Sequence, residues 1–143
     1  LPLTISPDLG GSTLLPNLDE TLIQSGRQRM VPIYTINQLL EKKAFDMPDL
    51  VKMDIQGFEM EALQGGSLLF GHTEVFILET SLFRSGRNDR VLFHEMISFM
   101  AEKGYCVYDF AGFLRRNYDG ALGQVDVCFV KEDSSLRHYH HWE

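Results

Sequence analysis

From residue 31 onward, apolar and polar positions alternate between a helical and an extended period. Ile36, Leu39, Leu40 and Ala44 recur at helical spacing. They follow Thr35-Ile36-Asn37-Gln38, where a Thr hydroxyl and a Gln side chain can satisfy each other's backbone N–H groups. Asp46-Met47-Pro48-Asp49 stops that helix. Leu50-Val51-Lys52-Met53-Asp54-Ile55, apolar on both faces apart from one Lys, predicts a strand, and Gln56-Gly57 turns the chain. Phe58, Ala62, Leu63, Leu69 and Phe70 form one face of a second helix ended by Gly71, with Gly65 and Gly66 weakening its last turns. Val75-Phe76-Ile77-Leu78 is continuously apolar, as a strand covered by helices on both faces would be, and runs into Glu79-Thr80-Ser81. A polar loop follows. Asn88 or Asp89 can cap a third helix that turns Leu92, Phe93, Met96, Ile97 and Met100 inward, and Gly104 suits its left-handed close. Residues 105–110 and 125–130 read as two more strands. No helix fits between them, so they pair antiparallel, and the connection from Ala111 to Gln124 is long enough to be a binding loop.

The order helix, strand, helix, strand, helix, strand, strand predicts an α/β fold. Its sheet is mostly parallel, with right-handed crossovers and an antiparallel last strand. That is the second half of a doubly wound sheet. Residues 1–30 are an irregular lead-in, broken by Pro7, Gly10, Gly11, Pro16 and Gly26, with Leu3-Thr4-Ile5 as a short strand end. Residues 30–34 read as a short extended piece in which Pro32 argues for a sheet edge or no ladder. The strand at 50–55 has no earlier neighbour strong enough to sit beside it, so that neighbour is expected upstream of Leu1. The expectation is one partial domain over 1–143, cut from something longer.

Composition narrows the classes. A chain of 143 residues, 44% hydrophobic and 23% charged, fits one folded domain. No apolar run approaches the ~20 residues that span a bilayer. Thirteen Lys+Arg against 20 Asp+Glu leave a net charge of −7, which argues against a broad nucleic-acid footprint. Cys106 and Cys128 lie in apolar runs and read as buried core thiols rather than a disulfide. That favours a reducing, cytoplasmic setting.

Asp49-Leu50-Val51-Lys52-Met53-Asp54-Ile55-Gln56-Gly57-Phe58-Glu59 resembles the DLIKIDVQGxE signature of FkbM-type methyltransferases. Residues 74–79 are similar to the family's next strand. Gly11-Ser12-Thr13-Leu14-Leu15-Pro16 with Val31-Pro32-Ile33 resembles its middle region. Tyr108-Asp109-Phe110, Arg115-Arg116, Asp119-Gly120-Ala121-Leu122 and Gln124-Val125-Asp126 resemble its C-terminal region. The resemblance implies the C-terminal part of a Rossmann-like class I methyltransferase sheet. It also implies S-adenosylmethionine as cofactor and methyl transfer to a hydroxyl on a sugar or other polar metabolite. The glycine-rich loop that holds most of that cofactor has no counterpart in 1–143, because Gly10-Gly11 opens no helix. The chain alone is therefore expected to hold the cofactor weakly or not at all and to be inactive.

Asp54 is the first candidate for chemistry, since ligands of open α/β sheets bind outside the carboxyl ends of strands. It can orient an acceptor hydroxyl, take its proton or hold a metal, or else cap the helix near Gly57. Glu79, expected at the neighbouring strand end, can pair with it or accept loop N–H bonds. Gln56 can bond an acceptor or simply turn the chain. Glu59, in a first helical turn, is better read as structural. Arg84, Arg87, Arg90, Arg115 and Arg116, five of eight arginines, are expected on loops at the same edge. There Arg84, Arg87, Arg115 and Arg116 would read an anionic or polyhydroxylated acceptor. No metal site is expected; the tail His138-Tyr139-His140-His141-Trp142 reads as solvated. The alternative to an enzyme is a non-catalytic binding module with an Arg-lined edge.

Overall fold

The computed structural model describes residues 1–7, 12, 14, 18–84, 91–139 and 141. The elements are β1 (Pro2–Thr4), α1 (Glu20–Gln24), β2 (Gln28–Met30), α2 (Ile36–Glu41), β3 (Leu50–Met53), α3 (Glu59–Gln64), β4 (Val75–Ser81), α4 (Phe93–Glu102), β5 (Tyr105–Arg115) and β6 (Leu122–Lys131). Single 3-10 turns lie at Ser67–Leu69 and Ser135–Arg137. β1 and β2 form a two-stranded antiparallel sheet, and α1, which the pattern of residues 1–30 did not predict, precedes β2. Its signal was local: the Asp19 carboxylate accepts from the N–H groups of Thr21 and Leu22.

The main sheet has the order β3-β4-β6-β5. β3 and β4 are parallel, and β6 is antiparallel to both β4 and β5. Three strands therefore point one way and one runs against them. This is the mostly parallel sheet with one antiparallel last strand that the order of elements predicts. The hairpin folds back so that β6 inserts between β4 and β5, leaving one parallel pair. The strands of that hairpin are also longer than their apolar runs. β5 reaches Arg115 and β6 starts at Leu122, so the expected long loop shrinks to the turn at 116–121.

Helix boundaries follow from local chemistry. The capping box at α2 forms as expected: Gln38 N–H donates to Thr35 Oγ1 at 3.1 Å, and Thr35 N–H donates to Gln38 Oε1 at 3.0 Å. α2 stops at Glu41, earlier than its pattern, because Lys43 adopts a left-handed φ of 53°. The second predicted helix divides into α3 and the 3-10 turn at Gly65 and Gly66. A Cβ on Gly66 would lie 3.1 Å from Ile36 Cδ1, so this junction admits α2 closely. α4 begins at Phe93 with Leu92 as N-cap, not at Asn88 or Asp89, which lie outside the described residues. The Glu95 carboxylate accepts from Leu92 N–H at 2.8 Å and satisfies the helix start from inside.

The core lies on one face of the sheet. Phe76, Leu78, Val125, Val127, Phe129 and Met53 pack with Leu63, Leu69, Met96 and Met100. Val75, Ile77 and Glu79 alternate with that set and are only half-buried, so helices cover β4 on one face rather than two. Cys106 and Cys128 are free and half-buried, not core thiols. Both pair into the ladder at positions that alternate with the core set. Burial raises the Cys128 thiol, with Asp109 and Asp126 adding to the effect.

At the amino end of β4, Glu74 Oε2 and Lys131 Nζ are 2.7 Å apart. Hydrogen bonds from Lys131 and Ser134 hold the Glu74 carboxyl below its ordinary 4.5. Its stabilising contribution is therefore complete above about pH 4.5 and lost as pH falls through the lower folded value. Glu74→Gln should flatten the acid limb of stability against pH below about 5 and lower stability at pH 7, read by urea unfolding at a series of pH values. An acid limb as steep as wild type would show that Glu74 carries none of it.

Candidate active site

The carboxyl ends of β3 and β4, and the turn joining β5 to β6, share one end of the sheet. Met53 pairs with Leu78, so Asp54, the first residue past β3, and Glu79, within β4, come next along the two chains. Such strands lie about 4.8 Å apart. Leu82 N–H donates to Gly123 O at 2.9 Å and ties the exit of β4 to the start of β6.

Asp54 is exposed, with Gln56 Nε2 donating to its Oδ1 at 2.9 Å and Lys52 Nζ 3.4 Å from its Oδ2. It does not cap α3. The N-cap there is Phe58, with no side-chain bond. The Asp54 carboxylate is therefore presented at the sheet end, where it can accept from an acceptor hydroxyl. Gln56 has a φ of 58°, a left-handed conformation that costs a non-glycine residue about 1–3 kcal/mol, and Gly57 follows at 100°. Glu59 is 3% exposed and accepts from Ile55 N–H at 2.9 Å and from Gly57 N–H at 3.1 Å.

Glu79 does not end β4, because Thr80 and Ser81 keep pairing with Val125 and Gln124. It lies directly opposite Asp126 and accepts a hydrogen bond from Gln124 Nε2. Glu79, Gln124 and Asp126 line a pocket of about 250 Å3 with Gly112, Phe113 and Leu114. A Cβ on Gly112 would come within 2.6 Å of Asp126 Oδ2, so glycine leaves room for that carboxylate. The sequence pattern did not single out Gln124 and Asp126 as site residues. Their alternation marks a shared face, but only the β4–β6 register brings them to Glu79.

The arginines are already engaged. Arg84 pairs with Glu95, and the two help hold the Glu95 carboxyl below its ordinary value, after the Leu92 N–H. Arg115 Nη1 donates to Gly120 O at 3.0 Å. Arg116 Nη2 is 3.0 Å from Asp119 Oδ2, and its Cζ lies 4.6 Å from the Phe83 ring centroid. The exit of β4 and the hairpin turn thus adjoin, but these guanidinium groups bind the protein itself. Arg87 and Arg90 lie outside the described residues, as do His140 and Trp142 of the tail. Among the described residues no group of three or more His, Cys, Asp or Glu could hold a metal ion. No helix among them is long and apolar enough to cross a membrane.

The family model for the methyltransferase FkbM domain matches residues 2–107, well over half of the chain. The chain belongs to this family. The match takes in Asp54, Gln56, Glu59, Glu79 and Arg84 and stops within β5, so the likeness read at 108–126 lies beyond it. No curated protein and no solved structure matches the chain.

These residues do not make a cradle for S-adenosylmethionine. In the turn after β3, the Ile55 and Gly57 N–H groups are taken by the Glu59 carboxylate, so they are not free to hold an anionic group of a ligand.

The left-handed residue gives a backbone test. A β-branched side chain tolerates that φ least, so Gln56→Val should lower stability by about 1–3 kcal/mol. Gln56→Gly should leave it within about 1 kcal/mol of wild type. Urea unfolding of the two variants decides. Equal losses in both would mean that the Gln56 side chain, not its backbone, matters.

Proposed function

We propose that the chain carries the acceptor side of an S-adenosylmethionine-dependent O-methyltransferase acting on a hydroxyl of a sugar or similar polyhydroxylated metabolite. The observation that carries this reading is the placement of Asp54 and Glu79 one residue past the Met53–Leu78 pair, toward one end of the sheet, inside a methyltransferase family match. A sheet with an antiparallel strand next to its last same-direction strand is also what a class I, Rossmann-like methyltransferase would have. A cytoplasmic setting belongs to the same reading and is supported by two free thiols.

S-adenosylmethionine supplies an electrophilic methyl group when bound. The chain's part is on the other reactant. Asp54 accepts from the acceptor hydroxyl and takes its proton, with Oδ1 steadied by the Gln56 amide. Glu79, held by Gln124, bonds a neighbouring hydroxyl and fixes the acceptor's orientation. A polyhydroxylated acceptor is favoured over an anionic one. Arg84 and Arg116 already pair with carboxylates, and Glu79, Gln124 and Asp126 offer hydrogen-bonding groups to the pocket.

The test is transfer of a labelled methyl group from S-adenosylmethionine to hexoses, hexosamines and hexose phosphates, using the protein expressed from its natural gene. Asp54→Asn should lower kcat ~10²–10⁴-fold and leave the dissociation constant of the donor unchanged. Full turnover in the folded Asn variant would remove Asp54 from the chemistry. Sugar binding without any transfer by the wild-type protein would favour the binding-module alternative.

A further inference from the structure

The turn after β3 is held in a conformation that its own sequence does not favour. Gln56 and Gly57 are left-handed in succession, and Phe58, the N-cap of α3, makes no side-chain cap bond. A carboxylate in the first turn of a helix ordinarily faces solvent and interacts with the helix dipole. Glu61, also in the first turn of α3, is exposed in that way. Glu59 is not: it is 3% exposed, and its carboxylate points back into the turn. Oε1 accepts from Ile55 N–H at 2.9 Å, and Gly57 N–H reaches Oε2 at 3.1 Å and Oε1 at 3.3 Å. Bonds to a charged acceptor are the stronger kind, and these two bracket Gln56 on both sides. The amide of Gln56 in turn donates to Asp54 Oδ1 at 2.9 Å.

We infer that Glu59 is a positioning residue for methyl transfer, whose buried carboxylate clamps the turn at 55–57 and thereby sets Gln56 against Asp54. The inference rests on the proposed function, in which Asp54 acts on the acceptor. It goes further by assigning the precision of that contact to a group that never touches the acceptor. A purely structural Glu59 would lose stability on substitution and leave the reaction profile alone.

The experiment compares Glu59→Gln with Glu61→Gln as control, using amide hydrogen exchange and methyl transfer to the best acceptor of the sugar panel. Glu59→Gln should speed exchange at Ile55 and Gly57 at least tenfold, shift the backbone resonances of Asp54 and Gln56, and leave Leu63 protected. It should lower kcat tenfold or more with the KM for S-adenosylmethionine unchanged. Glu61→Gln should do none of this. Unaltered exchange at Ile55 and Gly57 overturns the clamp. A loosened turn with full kcat overturns the positioning role and leaves the proposed function standing. Absence of methyl transfer in wild type overturns the proposed function itself, and the exchange measurement still decides whether Glu59 holds the turn. If Glu59→Gln does not fold, Gly57→Ala strains the same turn at a φ of 100° without touching the carboxylate. It should lower kcat in the same way, and an unchanged kcat there overturns the inference.

Discussion

The ladder between β4 and β6 is the constraint on which the rest of the molecule depends. Seven consecutive pairs, from Val75 with Val130 to Ser81 with Gln124, join the two strands along their length. Every other pair carries the core: Phe76 faces Phe129, and Leu78 faces Val127, beneath α3 and α4. The intervening pairs carry polar chemistry toward one end, where Glu79 meets Asp126. Because strand side chains alternate with a period of two, a slip of one residue would send the polar pair into the core and the aromatic pair out of it. Packing therefore enforces the register of the site.

The segment leading into β4 and the start of β5 secure the ladder through aromatic contacts and hydrogen bonds. Phe76 and Tyr105 meet edge to face with ring centroids 5.1 Å apart, and Phe70 lies 5.7 Å from Phe76. The Tyr105 hydroxyl donates to Thr73 O at 2.6 Å and accepts from Gly71 N–H at 3.1 Å. Burial raises that phenol. These contacts anchor the chain before β4 against the start of β5, at the end of the sheet away from Asp54. The arrangement separates a tightly packed end from an end built of turns, where backbone conformations such as that of Gln56 can be held by side chains.

Much of this was legible along the chain. The capping box at Thr35 and Gln38, the existence of the strands read at 50–55 and 75–78 and the helical face of Met96 and Met100 all follow from local pattern, though the first strand stops at Met53 and the second runs to Ser81. The family signature around Asp54 was readable because it is contiguous. Boundaries were not. The strands β5 and β6 extend through Phe113, Leu114 and Gly123, residues whose pattern resembles a loop, because each finds a partner across the hairpin. The partners of the arginines are likewise not visible in their places along the chain. In the fold Arg84, Arg115 and Arg116 have nearer partners in Glu95, Gly120 and Asp119.

The sequence by itself determined the kinds of element from residue 31 onward, their order and the family signature around Asp54. Those are properties of single side chains and of their spacing along a few turns. Tertiary structure alone decided which strand β6 would join, and so that Gln124 and Asp126 would line a pocket with Glu79. It also decided that Glu59 would turn inward to hold Ile55 and Gly57 rather than outward like Glu61. Both outcomes depend on register and burial, which are set by the sum of many weak contacts between distant residues.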